Sequence, residues 1–342
     1  MKITEIRALL NTPKYDFLRT NEHLGNNIIL LTVGGSHAYG LQNENSDVDL
    51  RGIATERLHE WIGLSNFEQF ENRETDTTIF GFKKIVKLLL NCNPNVIELL
   101  ATDDDMIFVN TSAGTLLRDN IGLFLSQKAA NSFGGYATSQ LRRIQNAMAR
   151  DSYPQPEKEK HILGSVQNMM SHLKETYAEF TEDEIKIYID DSDKEDYETE
   201  IFIDLNLKRF ALRDLKNIQA EMLNVVKDYG KLTGRNKKAE EKLEKHAMHL
   251  IRLLLMGKEI LEGRKVQTNR TNTPEYQLLL DVRSGAIPLK DVFPIIDEIE
   301  KDFQYAKKHS TLPVKPDFEM VEDLVCAVGK HTIDNYFRGV FN

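Results

Sequence analysis

Six consecutive apolar or β-branched residues, Ile28-Ile29-Leu30-Leu31-Thr32-Val33, run straight into Gly34-Gly35. No other stretch constrains the fold as much. A run this short, closed by glycines, is a buried strand entering a tight turn. Two more strands are expected at 48–54 (VDLRGIA) and 76–80 (DTTIF). After Gly81 the spacing turns helical, with Phe82, Ile85, Val86, Leu88, Leu89 and Leu90 on one broad face. Asn93-Pro94 then supplies an N-cap followed by proline at the first helical position, so a second helix starts there. Upstream, residues 1–24 read as helix and loop broken at Pro13.

Strands are thus concentrated in the first third, and the rest is helical. Helices are expected at 126–150, 157–180, 205–229, 236–262, 274–284, 289–308 and 317–338, separated by Pro154, Gly234, Pro274, Pro288 and the Pro313/Pro316 pair. The exception is 181–204, where two short alternating stretches, Ile185-Ile187-Ile189 and Ile201-Ile203, surround a charged middle. It reads as a hairpin with a polar tip or as a loop. A chain of 342 residues is too long for one small module. The class is α+β: a core over 1–125, then a mainly helical domain over 126–342 with an acidic insertion at 181–204.

The chemistry starts where the first strand ends. Gly35-Ser36 is followed by ten residues and then Asp47-Val48-Asp49. On a strand, Asp47 and Asp49 project to one face, and two parallel carboxylates repel unless a cation lies between them. An all-oxygen donor set of this kind suits Mg²⁺ or Mn²⁺, which share their shell with substrate phosphates. Asp76 opens the next strand and is the third carboxylate chosen; Glu74 replaces it if that strand begins earlier. At Gly35 the missing side chain lets backbone N–H groups approach a phosphate, and Ser36 can donate to it. Arg51 shares the face of Asp49 and can neutralise a triphosphate. These parts suit in-line nucleotidyl transfer between two metal ions.

The string Gly35-Ser36-His37-Ala38-Tyr39-Gly40-Leu41, then Ser46-Asp47-Val48-Asp49-Leu50-Arg51-Gly52, resembles the DNA polymerase β-type nucleotidyltransferases. It is closest in pattern to a bacterial and phage family of nucleotidyltransferases associated with RNA repair. Asn93-Pro94-Asn95-Val96-Ile97-Glu98, Tyr136-Ala137 with Gln140, and Lys245-His246-Ala247 with His249, Arg252 and Gly263 extend the likeness over most of 28–265. The resemblance implies a mixed sheet backed by helices, an NTP substrate (ATP the first choice) and a divalent metal. Asp47, Asp49 and Asp76 would be the metal-binding and catalytic carboxylates. Gly35, Ser36, Tyr39, Arg51, Lys245, His249 and Arg252 would contact the nucleotide, with packing as the alternative role of Tyr39. Asn93, Asn95 and Glu98 have a structural reading as caps and a first-turn acid.

On the helix at 236–262, Lys242, Lys245, His246, His249 and Arg252 fall within an arc of about 120°, opposite a stripe of Ala247, Leu250, Leu254 and Leu261. Residues 205–265 carry fifteen Lys+Arg against eight Asp+Glu, a basic surface suited to RNA or tRNA phosphates. The net charge of −9 speaks against a nucleic-acid partner only until it is mapped. Segment 181–204 holds eleven acidic and two basic residues, which accounts for all of it.

Cys92 and Cys326 lack disulfide or zinc spacing, so a reducing, cytoplasmic setting is expected, with no membrane span. Acceptors other than an RNA terminus are a protein hydroxyl (AMPylation) or a small molecule. Rivals from other classes are an antitoxin-like binding protein on the same fold, which the three carboxylates disfavour, and a metal-dependent glycosyltransferase, which the upstream Gly-Ser disfavours.

Overall fold

The computed structural model describes residues 1–44, 46–152, 185–191, 199–205, 219, 223 and 240–341. Strand β1 (Ile28–Val33) is buried at all six positions, inside a five-stranded sheet. A strand paired on both edges and covered on both faces has to be apolar throughout, which explains the uninterrupted run. The sheet order is β3 (Gln69–Asn72), β4 (Thr77–Gly81), β2 (Leu50–Ala54), β1 and β5 (Ile107–Asn110). β2 runs parallel to β4, and the other three pairings are antiparallel, so the sheet is mixed. β3 and β5 are short outer strands whose sequences, QFEN and IFVN, carry no alternation; they were not expected.

Register decides where the chemistry gathers. Val33 pairs with Leu50, and Leu50 with Thr77. The end of β1 and the starts of β2 and β4 therefore share one edge of the sheet. Gly34 N–H donates to the Asp49 carbonyl at 2.8 Å, and Leu50 N–H to the Asp76 carbonyl at 3.1 Å.

Helices α1 (Ile3–Leu9) and α2 (Phe17–Thr20) flank a 3₁₀ turn that begins at Pro13. Their segment packs Leu10, Leu18 and Leu24 against Leu31, Leu50 and Ile79 of the sheet. α3 (Gly35–Ala38) is the single turn after β1, and α4 (Leu58–Trp61) follows β2. α5 (Phe82–Leu89) packs on β4 and β2, and α7 (Ser112–Asp119) on β1 and β5. Between them, α6 (Pro94–Leu100) starts as expected: the Asn93 side chain accepts from Asn95 N–H, with Pro94 at the first position.

α8 (Lys128–Ser152), α9 (Glu240–Leu261), α10 (Tyr276–Ser284), α11 (Leu289–His309) and α12 (Phe318–Phe341) match the helices expected at those places. The helices expected at 157–180 and 205–229 lie almost wholly outside the described residues, as does most of the basic stretch 206–239. Within 181–204 the structure has the hairpin's strands, β6 (Ile185–Asp191) and β7 (Thr199–Leu205), paired antiparallel with Ile187 opposite Ile203.

The chain forms two compact units, Met1–Gln140 with Glu244–Asn342, and Leu141–Leu243. This grouping differs from a division at residue 125, because the C-terminal helices pack on the sheet's own helices. At Gly257 of α9 a Cβ would press on the Phe303 ring at 2.6 Å and on Phe133 at 2.9 Å, so three helices meet there only because the side chain is absent. α12 lies against α4 and α7, with Gly329 beside the Trp61 ring. Among the described residues no helix is long and apolar enough to cross a membrane.

Candidate active site

The turn after β1 forms one edge of a cleft of about 210 Å³, lined by Gly34, Gly35, Ser36, Tyr39, Asp49, Arg51, Glu98, Lys245 and His249 among others. Gly35 sits at φ +57°, and a Cβ there would overlap the Asp49 carboxylate. Both the left-handed backbone and the close approach of that carboxylate require glycine. At the start of this helical turn, backbone N–H groups have no preceding carbonyl within the helix to bond.

Asp49 and Asp76 meet across the starts of β2 and β4. Burial first, and then the hydrogen bond it makes to Asp76, push the Asp49 carboxyl up to about 7; nearby Arg51 pulls the other way. Asp76 is held below its ordinary value, chiefly by that same hydrogen bond from Asp49. Two anions at this distance repel, and the hydrogen bond between the carboxyls forms only while one of them keeps a proton. Arg51 spans them: Nη1 donates to the Asp76 carbonyl at 2.6 Å, while Nη2 lies 3.1 Å from Asp76 Oδ1 and 3.5 Å from Asp49 Oδ1. Asp76 occupies a left-handed turn at φ 43°, a conformation that short polar side chains tolerate. This places Asp76 beside Asp49, whereas Glu74 is exposed in the preceding turn, its N–H bonded to Asn72.

Asp47 stands apart. It is exposed, and β2 begins only at Leu50, so the same-face spacing expected of Asp47 and Asp49 on a strand does not apply. Among the described residues no three His, Cys, Asp or Glu side chains gather as a metal site. The Asp49–Asp76 donor set still fits a hard divalent cation: two carboxylates, all oxygen, each with an oxygen within 3.5 Å of the same Arg51 nitrogen.

A buried cluster backs the cleft. Glu98 accepts from Tyr39 Oη at 2.7 Å and from Arg252 Nη1 at 2.6 Å, and the Arg252 guanidinium lies 3.6 Å from the Tyr39 ring centroid. Thr102 and Thr268 hydroxyls both donate to the Glu98 carbonyl at 3.0 Å. Burial works against the Arg252 charge, but Glu98 and Tyr39 together more than offset it and raise the guanidinium above its ordinary value. Burial likewise pushes the Tyr39 phenol up.

The reading of Glu98 as a first-turn acid is therefore corrected. It lies in the second turn of α6, points inward and anchors two other elements. The sequence did carry a signal for this, a single charge inside the apolar run Val96-Ile97-Glu98-Leu99-Leu100.

The arc on α9 also divides. Ala247, Leu250, Leu254 and Leu261 are buried as expected. Arg252 is only 3% exposed, committed to Glu98 and Tyr39 rather than to a solvated face. Lys245 is exposed and lines the cleft, where its charge acts on both Asp49 and Asp76. His249 lines it too, edge-on to Tyr39; burial, then the charges of Arg252 and Lys245, hold its pKa well below the usual histidine range. His246 Nδ1 lies 2.8 Å from Gln140 Oε1, and Asn93 Nδ2 donates to Tyr136 Oη. The scattered motif residues are thus largely one another's partners. His37 is buried but does not line the cleft. Arg283, which the sequence did not single out, reaches Ser46 in the loop before Asp47.

A family model described as the RNA repair pathway DNA polymerase beta family matches residues 12–327 of the chain. No curated protein and no solved structure matches it.

Proposed function

The chain belongs to the RNA repair pathway DNA polymerase beta family, and on that premise we propose that it transfers a nucleoside monophosphate from an NTP to an acceptor hydroxyl. The acceptor oxygen forms a bond to the α-phosphorus, the bond from that phosphorus to the bridging oxygen breaks, and pyrophosphate leaves. An RNA terminus is the first acceptor class and ATP the first nucleotide.

The observation that carries this reading is the contact of Gly35 with the Asp49 carboxylate, with Asp76 in hydrogen-bond reach. It supports the reading because the N–H groups at the start of that turn, which lack intrahelical partners, then lie beside an acidic pair. Asp49 and Asp76 would hold Mg²⁺ or Mn²⁺, with Asp47 on the approaching loop. A bound ion would neutralise charge on the phosphoryl oxygens and favour ionisation of the acceptor. The backbone of Gly35 and Ser36 receives the phosphates. Arg51 and Lys245 supply positive charge beside them, and neutral His249 and Tyr39 close the inner wall. The acceptor's proton leaves toward the acidic pair.

The test supplies α-labelled NTPs and Mg²⁺ with a panel of RNA ends, proteins and small hydroxyl compounds. Wild type should label one acceptor class and release pyrophosphate, and Asp49→Ala/Asp76→Ala should do neither. Equal behaviour of the two proteins across the panel would remove the catalytic reading and leave the binding-protein rival. Label on protein or on a small molecule alone would move the acceptor away from RNA.

A further inference from the structure

Asp47 lies outside the paired part of the sheet, its backbone in reach of the His37 ring and its chain preceded by a turn that Ser46 N–H closes onto the Asn43 carbonyl at 3.1 Å. Regular pairing begins at Leu50, and before that the backbone is tied at Asp49, whose carbonyl accepts from Gly34 N–H. On the other side of Asp47 a further hold comes from a distant part of the chain. Arg283 Nη2 donates to Ser46 Oγ at 3.0 Å. That hydroxyl also donates to Asn43 Oδ1 at 2.9 Å and accepts from Asn43 N–H at 2.8 Å. One donor and both lone pairs are therefore in use, which fixes the hydroxyl's position. Asp47 is thus bracketed by Gly34 on one side and Arg283 on the other.

Arg283 stands on a firm base. It is in the last turn of α10, next to fully buried Val282, and the helix stops at Gly285 in the left-handed conformation. Its charge is felt at His37, in the turn after β1, and at His249, in the cleft wall. A flexible loop carrying an acidic ligand gains affinity for a cation when a rigid element holds it in one arrangement, because the ordering cost is met beforehand.

We propose that Arg283 is a positioning residue, acting through Ser46 to fix the course of the segment that carries Asp47 and Asp49, and so setting the affinity of this acidic edge for a divalent cation. The proposal rests on the reading of that edge as a cation site. Arg283 itself is not a ligand and touches no reacting atom.

Mn²⁺ binding to the full chain, without nucleotide, is the direct readout, followed by the loss of the free-ion electron paramagnetic resonance signal. Arg283→Met should weaken Mn²⁺ binding about tenfold, the scale of one hydrogen bond from a charged donor, with little change in melting temperature. Ser46→Ala should do the same. The double variant should bind no more weakly than the poorer single one, since the Arg283–Ser46 contact is lost in each single variant already. Wild-type affinity in both single variants, or losses that add in the double variant, would overturn the proposal. If Arg283→Met does not fold, Ser46→Ala, which leaves α10 untouched, decides alone. Asp49→Asn separates the two levels: undiminished Mn²⁺ binding by that variant, or no binding by wild type, would remove the cation site and this proposal with it.

Discussion

Asp49→Asn isolates the energetics of the acidic pair. In the ion-free protein the Asp49 carboxyl titrates at about 7, against 3.8 for an ordinary aspartate. Near pH 4 the group holds its proton in the folded chain and begins to lose it in the unfolded one. Between pH 4 and 7 the folded state binds more protons, so stability is greatest at the acid end and falls as pH rises through the folded value. Three pH units at about 1.4 kcal/mol each set a ceiling of ~4 kcal/mol on that loss. Asp76 is shifted the other way and contributes stability that disappears only as pH falls below its ordinary value. An amide at position 49 never ionises and can still donate to Asp76. Thermal unfolding in EDTA from pH 5 to 8 should therefore show wild type losing several degrees. Asp49→Asn should stay nearly level and be the more stable protein at pH 8. Adding Mn²⁺ at pH 8 should restore wild type and leave the variant unmoved. A level wild-type profile, or a variant less stable than wild type at pH 8 in EDTA, would refute the shared-proton description.

Gly35→Ala should abolish Mn²⁺ binding and nucleotidyl transfer and cost about 1–3 kcal/mol in chemical denaturation, since its Cβ meets the Asp49 carboxylate from a strained backbone. Glu98→Gln should destabilise by about 3–5 kcal/mol, because it strips buried Arg252 of its counter-charge. Adding Arg252→Met to that variant should recover part of the loss, whereas purely additive losses would argue that the two residues are uncoupled. Tyr39→Phe should cost about 1.5–3 kcal/mol for its bond to the Glu98 carboxylate while keeping the ring under Arg252. A change near zero would show that the hydroxyl bond contributes nothing.

What could be read in the sequence was whatever local pattern determines. Ile28–Val33 is bounded as expected because six apolar or β-branched residues between polar and glycine-rich flanks leave little choice. The Asn93-Pro94 helix start likewise depends on two adjacent residues. The edge strands β3 and β5 were missed because four residues paired on one side need no periodic signature. At the site, Asp49 and Asp76 were legible as types and approximate positions. Their meeting depends on the parallel register of β2 and β4, which pairs residues 27 positions apart, such as Leu50 and Thr77. Asp47 was expected on a strand because alternation was extended three residues ahead of the start of β2, whereas it lies on the loop before it. Arg252 was grouped with the cationic arc and the nucleotide contacts because helical arcs describe one helix alone, and its partner Glu98 lies 154 residues away. Arg283 left no signal, since its role depends on a hydroxyl 237 residues upstream.

The central claim is that the acidic edge and the turn after β1 form one nucleotide-and-cation site. Crystals grown with Mn²⁺ and a non-hydrolysable NTP analogue test it most directly, through the anomalous scattering of manganese. The expected result is an anomalous peak between Asp49 and Asp76, with the triphosphate against the backbone of Gly35 and Ser36. A nucleotide bound away from that turn, or manganese with no contact to Asp49, would contradict it.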